Sequence, residues 1–494
     1  MRVVGHHKTH LATQKSSTDA LRLITVGNHV SSVLDSPLEL RAFEFFFDRS
    51  IPAFANANNA SRPFWRSYVL QVCHTERIIW DAVGCTSVAK CTIAKSFLKV
   101  ISLSSLFEHP QYSDEPVVVK DEQHPKVPVD DPYHRQALLW YNRSLSNLRI
   151  QIEQGTVGAS VALVSCILYI CIELLQDNVT EALALFQRGL DLLSGNNLKL
   201  LEPSISPFFY NLNAIGRIVG YLKPATVFVL QTTFPNTFTS LEEAENAIYA
   251  LSEYCMAPDR ASARLQQIES IDEELMTVLM HEQRIIQAKL DCWYRNFQDL
   301  NITLDSDISR EDKFQVSRLC QAWAALSLSV KTCTTVSEMA YDSCMHLFEE
   351  ILYYGRYGIE ATRYADGKQP PFLLETSVGL PMFMVATQCR DYCMRHEALD
   401  LLRQAPKVQG LIKSVPYAIL AAKMIELEEE GLELSYGADG KEPGMFIPMH
   451  RRVRDIAVTS TRDANGRRTY TLRYIRRVPD EHGVLLRIEE TVPI

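Results

Sequence analysis

No two of the twelve cysteines stand at CxxC spacing, which excludes zinc ribbons, paired-knuckle zinc modules and thioredoxin-type redox motifs. The cysteines are scattered through a long chain, so a small disulfide scaffold is excluded too. The opening stretch MRVVGHHKTHLATQKSS lacks the apolar core of a secretory signal. A reducing compartment with mostly buried free thiols is expected, and the sequons at Asn59, Asn142, Asn178 and Asn301 are then chance matches. Long apolar runs are missing. The longest, Val161–Leu175, is interrupted by Glu173; it is too short to span a bilayer and reads as a buried helix. There is no GxxxxGK[ST] loop, no GxGxxG between strand and helix, no GxSxG elbow and no HExxH pair, since His281-Glu282 continues as Gln283-Arg284-Ile285. Positive charge is also in deficit. The net charge is −9, which argues against a chain built to coat phosphate backbones.

What remains is a chain of 494 residues, 47% hydrophobic and 22% charged, long enough for about three domains or one large helical body. Residues 1–35 have little apolar periodicity and read as a loose segment. A helical domain is expected over 36–440. Ser36-Pro37-Leu38-Glu39 is a helix start with a capping box, and Ser240-Leu241-Glu242-Glu243 is another. Trp65, Tyr68, Val69, Val72, Ile79 and Val83 recur at helical spacing. Leu138, Tyr141, Leu145, Leu148 and Ile152 share one face of the helix that follows. Between these two lies 108–133, with five prolines and seven acids, an exposed loop. Further helices are expected over about 157–177, 180–194, 240–256, 262–298, 310–331, 337–363, 379–403 and 414–434, with a loop over 364–378. Short connections imply antiparallel neighbours. Val161, Val164, Ile167, Leu168, Ile172 and Leu175, with Cys166 and Cys171 among them, are expected in the core.

Beyond residue 440 the period changes from helical to alternating. RDIAVTSTRD, RRTYTLRYIRRV and VLLRIEETV read as strands, with Asn465-Gly466 as the turn of a hairpin. The fold class is therefore mainly α: antiparallel helices with a small β-hairpin or meander over 441–494. That tail holds eleven Lys and Arg against seven Asp and Glu, net +4, leaving −13 for the rest of the chain. Its arginines, among them Arg451, Arg452, Arg454, Arg476 and Arg477, read as the solvent side of a meander guarding its edges rather than as a phosphate-contacting patch. Cys389, Cys393 and His396 fall at i, i+4 and i+7 of one predicted helix, a spacing that can present three metal ligands. A fourth ligand is missing and cysteine is a common buried helix residue, so these three are weak candidates; no metal and no cofactor is expected. His6, His7 and His10 read as a solvated tail.

Several stretches resemble one family. Residues 133–195, including YHRQALLWYNRSLSNLRIQI and EALALFQRGLDLLSG, and residues 380–434, including LPMFMVATQCRDYCMRHEALDLLRQAPKVQGL and MIELEEEG, resemble the helical region of fungal transcription factors that bear a zinc binuclear cluster. The early FEFFFDR and FWRSYVLQVCHTE and the hairpin tail are similar to the same family. The departure is the six-cysteine cluster itself: the first cysteine is Cys73, and the basic segment that follows the cluster is also absent. The resemblance implies a regulatory helical domain rather than an enzyme. It implies action through protein or small-molecule contacts, a protein partner such as a related transcription factor or a second copy, a nuclear or cytoplasmic place without membrane insertion, and no sequence-specific DNA binding of its own. The alternative is a helical enzyme or ligand-binding protein reusing the same body, for instance in a fungal biosynthetic pathway.

Overall fold

The computed structural model describes residues 37–51, 54, 64–96, 132–193 apart from 177, 208–209, 212–213, 237–266, 273–300, 307–334, 338–373 apart from 365 and 371, 378–432, 447–462, 468–479 and 485–493. The chain is mainly α. Helix α1 (Pro37–Phe45) runs into a π turn at Phe46–Ser50; a second π turn at Phe64–Tyr68 leads into α2 (Val69–Thr75) and α3 (Arg77–Ser96). Then come α4 (Pro132–Glu153), α5 (Ala159–Leu175) and α6 (Val179–Leu193). Helix α3 packs on α1, α4 and α5, and α5 packs on α6. As its apolar run requires, α5 is the buried centre: Val161, Val164, Ile167, Leu168, Ile172 and Leu175 are all buried, as are Cys166 and Cys171.

A second group consists of α7 (Leu241–Gln266), α8 (Glu273–Gln298), α9 (Arg310–Thr332) and α10 (Met345–Thr362), with a 3₁₀ segment, Glu338–Cys344, before α10. At the start of α7 the Ser240 hydroxyl accepts the Glu243 N–H at 3.2 Å and the Glu243 carboxylate accepts the Thr239 N–H at 2.7 Å, a capping box displaced by one residue. Helices α11 (Gly379–Gln388), α12 (Tyr392–Gln404) and α13 (Ser414–Glu429) close the body against α10. Three two-residue strands, β1 (Phe372–Leu373), β2 (Val408–Gln409) and β3 (Ile412–Lys413), join there, β1 and β2 parallel, β2 and β3 antiparallel. The tail is an antiparallel meander of β4 (Arg454–Arg462), β5 (Arg468–Pro479) and β6 (Leu485–Pro493). Asn465-Gly466 lies outside the described residues, but β4 and β5 pair across it from Arg462 and Arg468.

Four readings change. The expected single helix over 262–298 is replaced by two, because α7 continues past Pro258 to Gln266. The expected helix over 379–403 is two helices with a break at 389–391. The loop over 364–378 contains β1. The buried stripe of α4 is rotated. Ala137, Trp140, Tyr141 and Ser144 face the core, while Leu145 and Ile152 are 36% and 55% exposed, because the indole of Trp140 and the hydroxyl of Ser144 fit the α3–α5 groove. Ser144 donates its hydroxyl hydrogen to the Ile78 carbonyl at 2.7 Å and accepts from the Tyr169 hydroxyl at 2.7 Å.

Glycines set two close helix contacts. On α6, a Cβ at Gly189 would lie 2.5 Å from the Phe209 ring. On α10, a Cβ at Gly355 would lie 2.5 Å from Met382 Cε and 2.9 Å from Gln321 Nε2. The methionine end can swing away, but Gln321 is held by its 3.1 Å bond to the Ile351 carbonyl. Gly355→Ala gains about 1 kcal/mol of helix propensity and meets about 1–3 kcal/mol of overpacking. A net loss on the order of 1 kcal/mol is expected in urea unfolding; a net gain would show that the α9–α10 contact has slack.

Candidate functional site

Among the described residues, three arginine–carboxylate networks stand out in the body, none of them read from the sequence. In the first, Asp81 on α3 and Glu39 on α1 face Arg77 and Arg143. Arg143 grips Asp81 with two bonds of 2.7 and 2.5 Å and reaches Glu39 at 3.1 Å. Arg77 donates to Glu39 at 2.6 Å and to Asp81 at 3.1 Å. The bond to Asp81, more than any other cause, holds the Arg143 guanidinium above its ordinary pKa. Beside it Phe43 stacks on Trp80, with ring centroids 5.0 Å apart. Glu39, Asp81, Phe43, Trp80 and Trp140 line a shallow depression there with essentially no water-sized space inside it.

The second network joins α7 to α9. Glu245 is buried and takes Arg318, also buried, as its ion-pair partner. The same carboxylate accepts Gln315 Nε2 at 2.9 Å and the Tyr249 hydroxyl at 3.0 Å.

The third lies where α11 stops. Cys389 is extended, and the Asp391 carboxylate accepts the Met394 N–H at 2.9 Å to start α12 afresh. An aspartate at this position competes for backbone N–H groups and favours a cap over helix continuation. Arg390 in the break and Arg395 on α12 both turn inward and are buried. Glu428 on α13, also buried, meets Arg395 at 2.6 Å and Arg390 at 3.4 Å through Oε2, and its Oε1 accepts the Val453 N–H at 2.7 Å. Neighbouring Glu429 takes His396 Nε2 at 2.9 Å and Arg395 at 3.6 Å. The tail is tied in at the same place. The Ile447 N–H donates to the Arg390 carbonyl at 3.2 Å. Arg452 donates to the Ile447 carbonyl at 3.0 Å and to Asp342 at 2.8 Å, and Arg476 donates to the Leu427 carbonyl at 2.7 Å. Arg452 and Arg476 thus fasten the meander to the helices, contrary to their reading as solvent-side charges.

The break also undoes the geometry expected of Cys389, Cys393 and His396. Cys389 is buried between two helices, Cys393 is exposed on α12, and His396 turns to Glu429. Burial pushes the Cys389 thiol up to about 11. Among the described residues no group of three or more His, Cys, Asp or Glu converges to hold a metal ion; His6, His7 and His10 lie outside them. No described helix is long and apolar enough to cross a membrane.

Chemically, these networks are closed. A guanidinium stays protonated at any physiological pH, so carboxylates facing one cannot pass a proton through it. One signal in the sequence could have revealed the third network. Arg395 sits at i−3, i−4 and i−7 from Ala398, Leu399 and Leu402, on the buried stripe of α12, and a charge on an apolar stripe demands a buried partner. No family model matches the chain, and no curated protein matches it.

Proposed function

We propose that this chain is a transcription-regulator-type helical module that works through protein contacts and carries no DNA-reading element of its own. One observation carries the reading: the third buried ion-pair network, with Arg143 of the first, falls inside the stretches that resemble the family's regulatory region and is consumed in holding its helices together. Arg143 lies in the YNR segment, Arg390 and Arg395 in CRDYCMRHE, and Glu428 in MIELEEEG. The molecule then offers surfaces rather than a reaction centre. A related transcription factor or a second copy is the partner class, and the nucleus is the place of action. The rival reading, a helical enzyme or small-molecule binder, would rest on the depression beside Trp80 and Trp140. Its walls leave essentially no water-sized space between them, where ligand pockets typically hold roughly 300–1,000 Å³, and its two carboxylates already face arginines.

The test is to tether the full chain to a reporter promoter through an unrelated DNA-binding domain. A severalfold change in output over the tether alone is expected, and equal output would overturn the reading. A companion selection on random duplexes at physiological salt is expected to enrich no motif, because specific readout needs an element seated in a groove with side chains on base edges. An enriched sequence bound in the nanomolar range by the chain alone would defeat that part.

A further inference from the structure

The two outer strands of the tail meander differ in how they are guarded. Natural sheets protect their edges with bulges, prolines, very short strands or charged side chains, lysine above all; the charges of β6, Arg487, Glu489 and Glu490, are of mixed sign and so can also pair across an edge. β4 has such a guard, a register shift between Arg454 and Ala457. β6 runs through nine residues in unbroken register with β5. Among the described residues no strand lies on its outer side. Its sequence, LLRIEETVP, holds no lysine, and its only proline ends the strand.

The exposed apolar side chains lie at one end of this strand. Leu486, Ile488, Glu490 and Val492 share a face with Val478, Arg476, Tyr474 and Leu472 of β5, their register partners. Leu472 and Tyr474 are buried, Arg476 reaches the Leu427 carbonyl, and Val492 packs against the core. The helical body therefore lies under the Val492 end. Toward the other end the strand overhangs it, and Ile488 and Leu486 are 37% and 50% exposed.

We propose that β6 is a dimerisation edge: it pairs antiparallel with β6 of a second copy about a two-fold axis at Ile488, making one six-stranded sheet. Paired residues share a face of a sheet, so the axis must pass through a residue and not between two. Centres at Arg487, Glu489 or Glu490 set a charge against its own copy. A centre at Ile488 sets position Arg487 opposite position Glu489 of the second copy, twice, where Glu489 already meets Arg473 of its own β5 at 3.0 Å and would be shared between the two arginines; unlike charges directly opposite are the stabilising arrangement. It also sets Ile488 against Ile488, with Leu486 diagonal to the partner's Ile488 and Val492, within reach of long side chains. The axis sends the two helical bodies to opposite strand ends, so that Leu486 of each copy lies opposite Glu490 of the other, next to that copy's helical body. The contact is isologous and closes at two copies, whereas β4-to-β6 pairing would run on as a fibre. This inference stands on the strand alone and holds whether or not the chain regulates transcription.

Light scattering on the full-length protein after size exclusion tests it. The wild type is expected at twice the 56.1 kDa chain mass, and Glu489→Arg, which sets like charges opposite twice, at half that value. Arg487→Glu combined with Glu489→Arg restores unlike pairs and is expected to restore the dimer. Ile488→Glu is a second probe at an exposed position and is expected to give monomer. Circular dichroism identifies any variant that has not folded, and the remaining variants then decide. A monomeric wild type, a dimer that Glu489→Arg and Ile488→Glu leave intact, or a folded double variant that stays monomeric would each overturn the proposal.

Discussion

Glu428→Ala is expected to destabilise the protein by about 3–5 kcal/mol, the usual cost of breaking a buried ion pair from one side. Three groups lose their acceptor at once: Arg395 at 2.6 Å, Arg390 at 3.4 Å and the Val453 N–H at 2.7 Å. Both guanidiniums are buried, so water cannot take over without opening the junction of α11, α12 and α13. Against a total stability of about 5–15 kcal/mol, the loss is large enough to be read directly as a lower urea midpoint. By contrast, Arg356→Ala removes a bidentate pair with Glu397 that is open to solvent, and pairs of that kind contribute about 0–1 kcal/mol. Faster proteolysis after residue 430 in Glu428→Ala would locate the damage at the tail, because Val453 is the first residue of the tail that Glu428 holds. A loss below about 0.5 kcal/mol, the ordinary size for a neutral surface change, would show that the network stabilises nothing.

Leu168→Ala, and separately Ile167→Ala, should each cost about 2–5 kcal/mol. Both side chains are fully buried on α5, which packs against α3 on one side and α6 on the other. Truncation removes transfer free energy and leaves a cavity that surrounding helices cannot easily close, and the spread in cost reflects how far they relax. α6 has little freedom to follow, since Gly189 already brings it against Phe209. The expected signature is an earlier denaturant midpoint with an unchanged slope; a shift worth less than about 1 kcal/mol would remove α5 from the centre of the fold.

The reading of α5 from sequence succeeded because a helix that is apolar all round has only one place to go. The meander was legible for a similar reason: a period of two with β-branched residues has no helical alternative. Helix α4 shows where periodicity stops. Leu145 and Ile152 satisfied the same spacing rule as Tyr141, and only the neighbours of Trp140 and Ser144 decided which stripe turned inward. The break at 389–391 was hidden because Arg390 and Arg395 are good helix residues. The local choice turned on the Asp391 cap and on Glu428, over thirty residues away in the sequence. The networks were illegible as networks, since Asp81 and Arg143, or Glu245 and Arg318, carry no mark in sequence of which charge each will meet.

The tie between Glu428 and the Val453 N–H also has a consequence for the order of events during synthesis. Domains tend to fold as they emerge from the ribosome, N-terminal parts first. Helix α13 emerges before Ile447, Arg452 and Val453, so a nascent chain holds Arg390, Arg395 and Glu428 without the groups that complete their shell. The closing contacts of the helical body thus depend on residues translated after it, and a chain arrested between 432 and 446 would leave the Arg390 carbonyl and Glu428 Oε1 without their tail partners. Completion of the body then reports that translation has reached the threshold of the meander, at Val453.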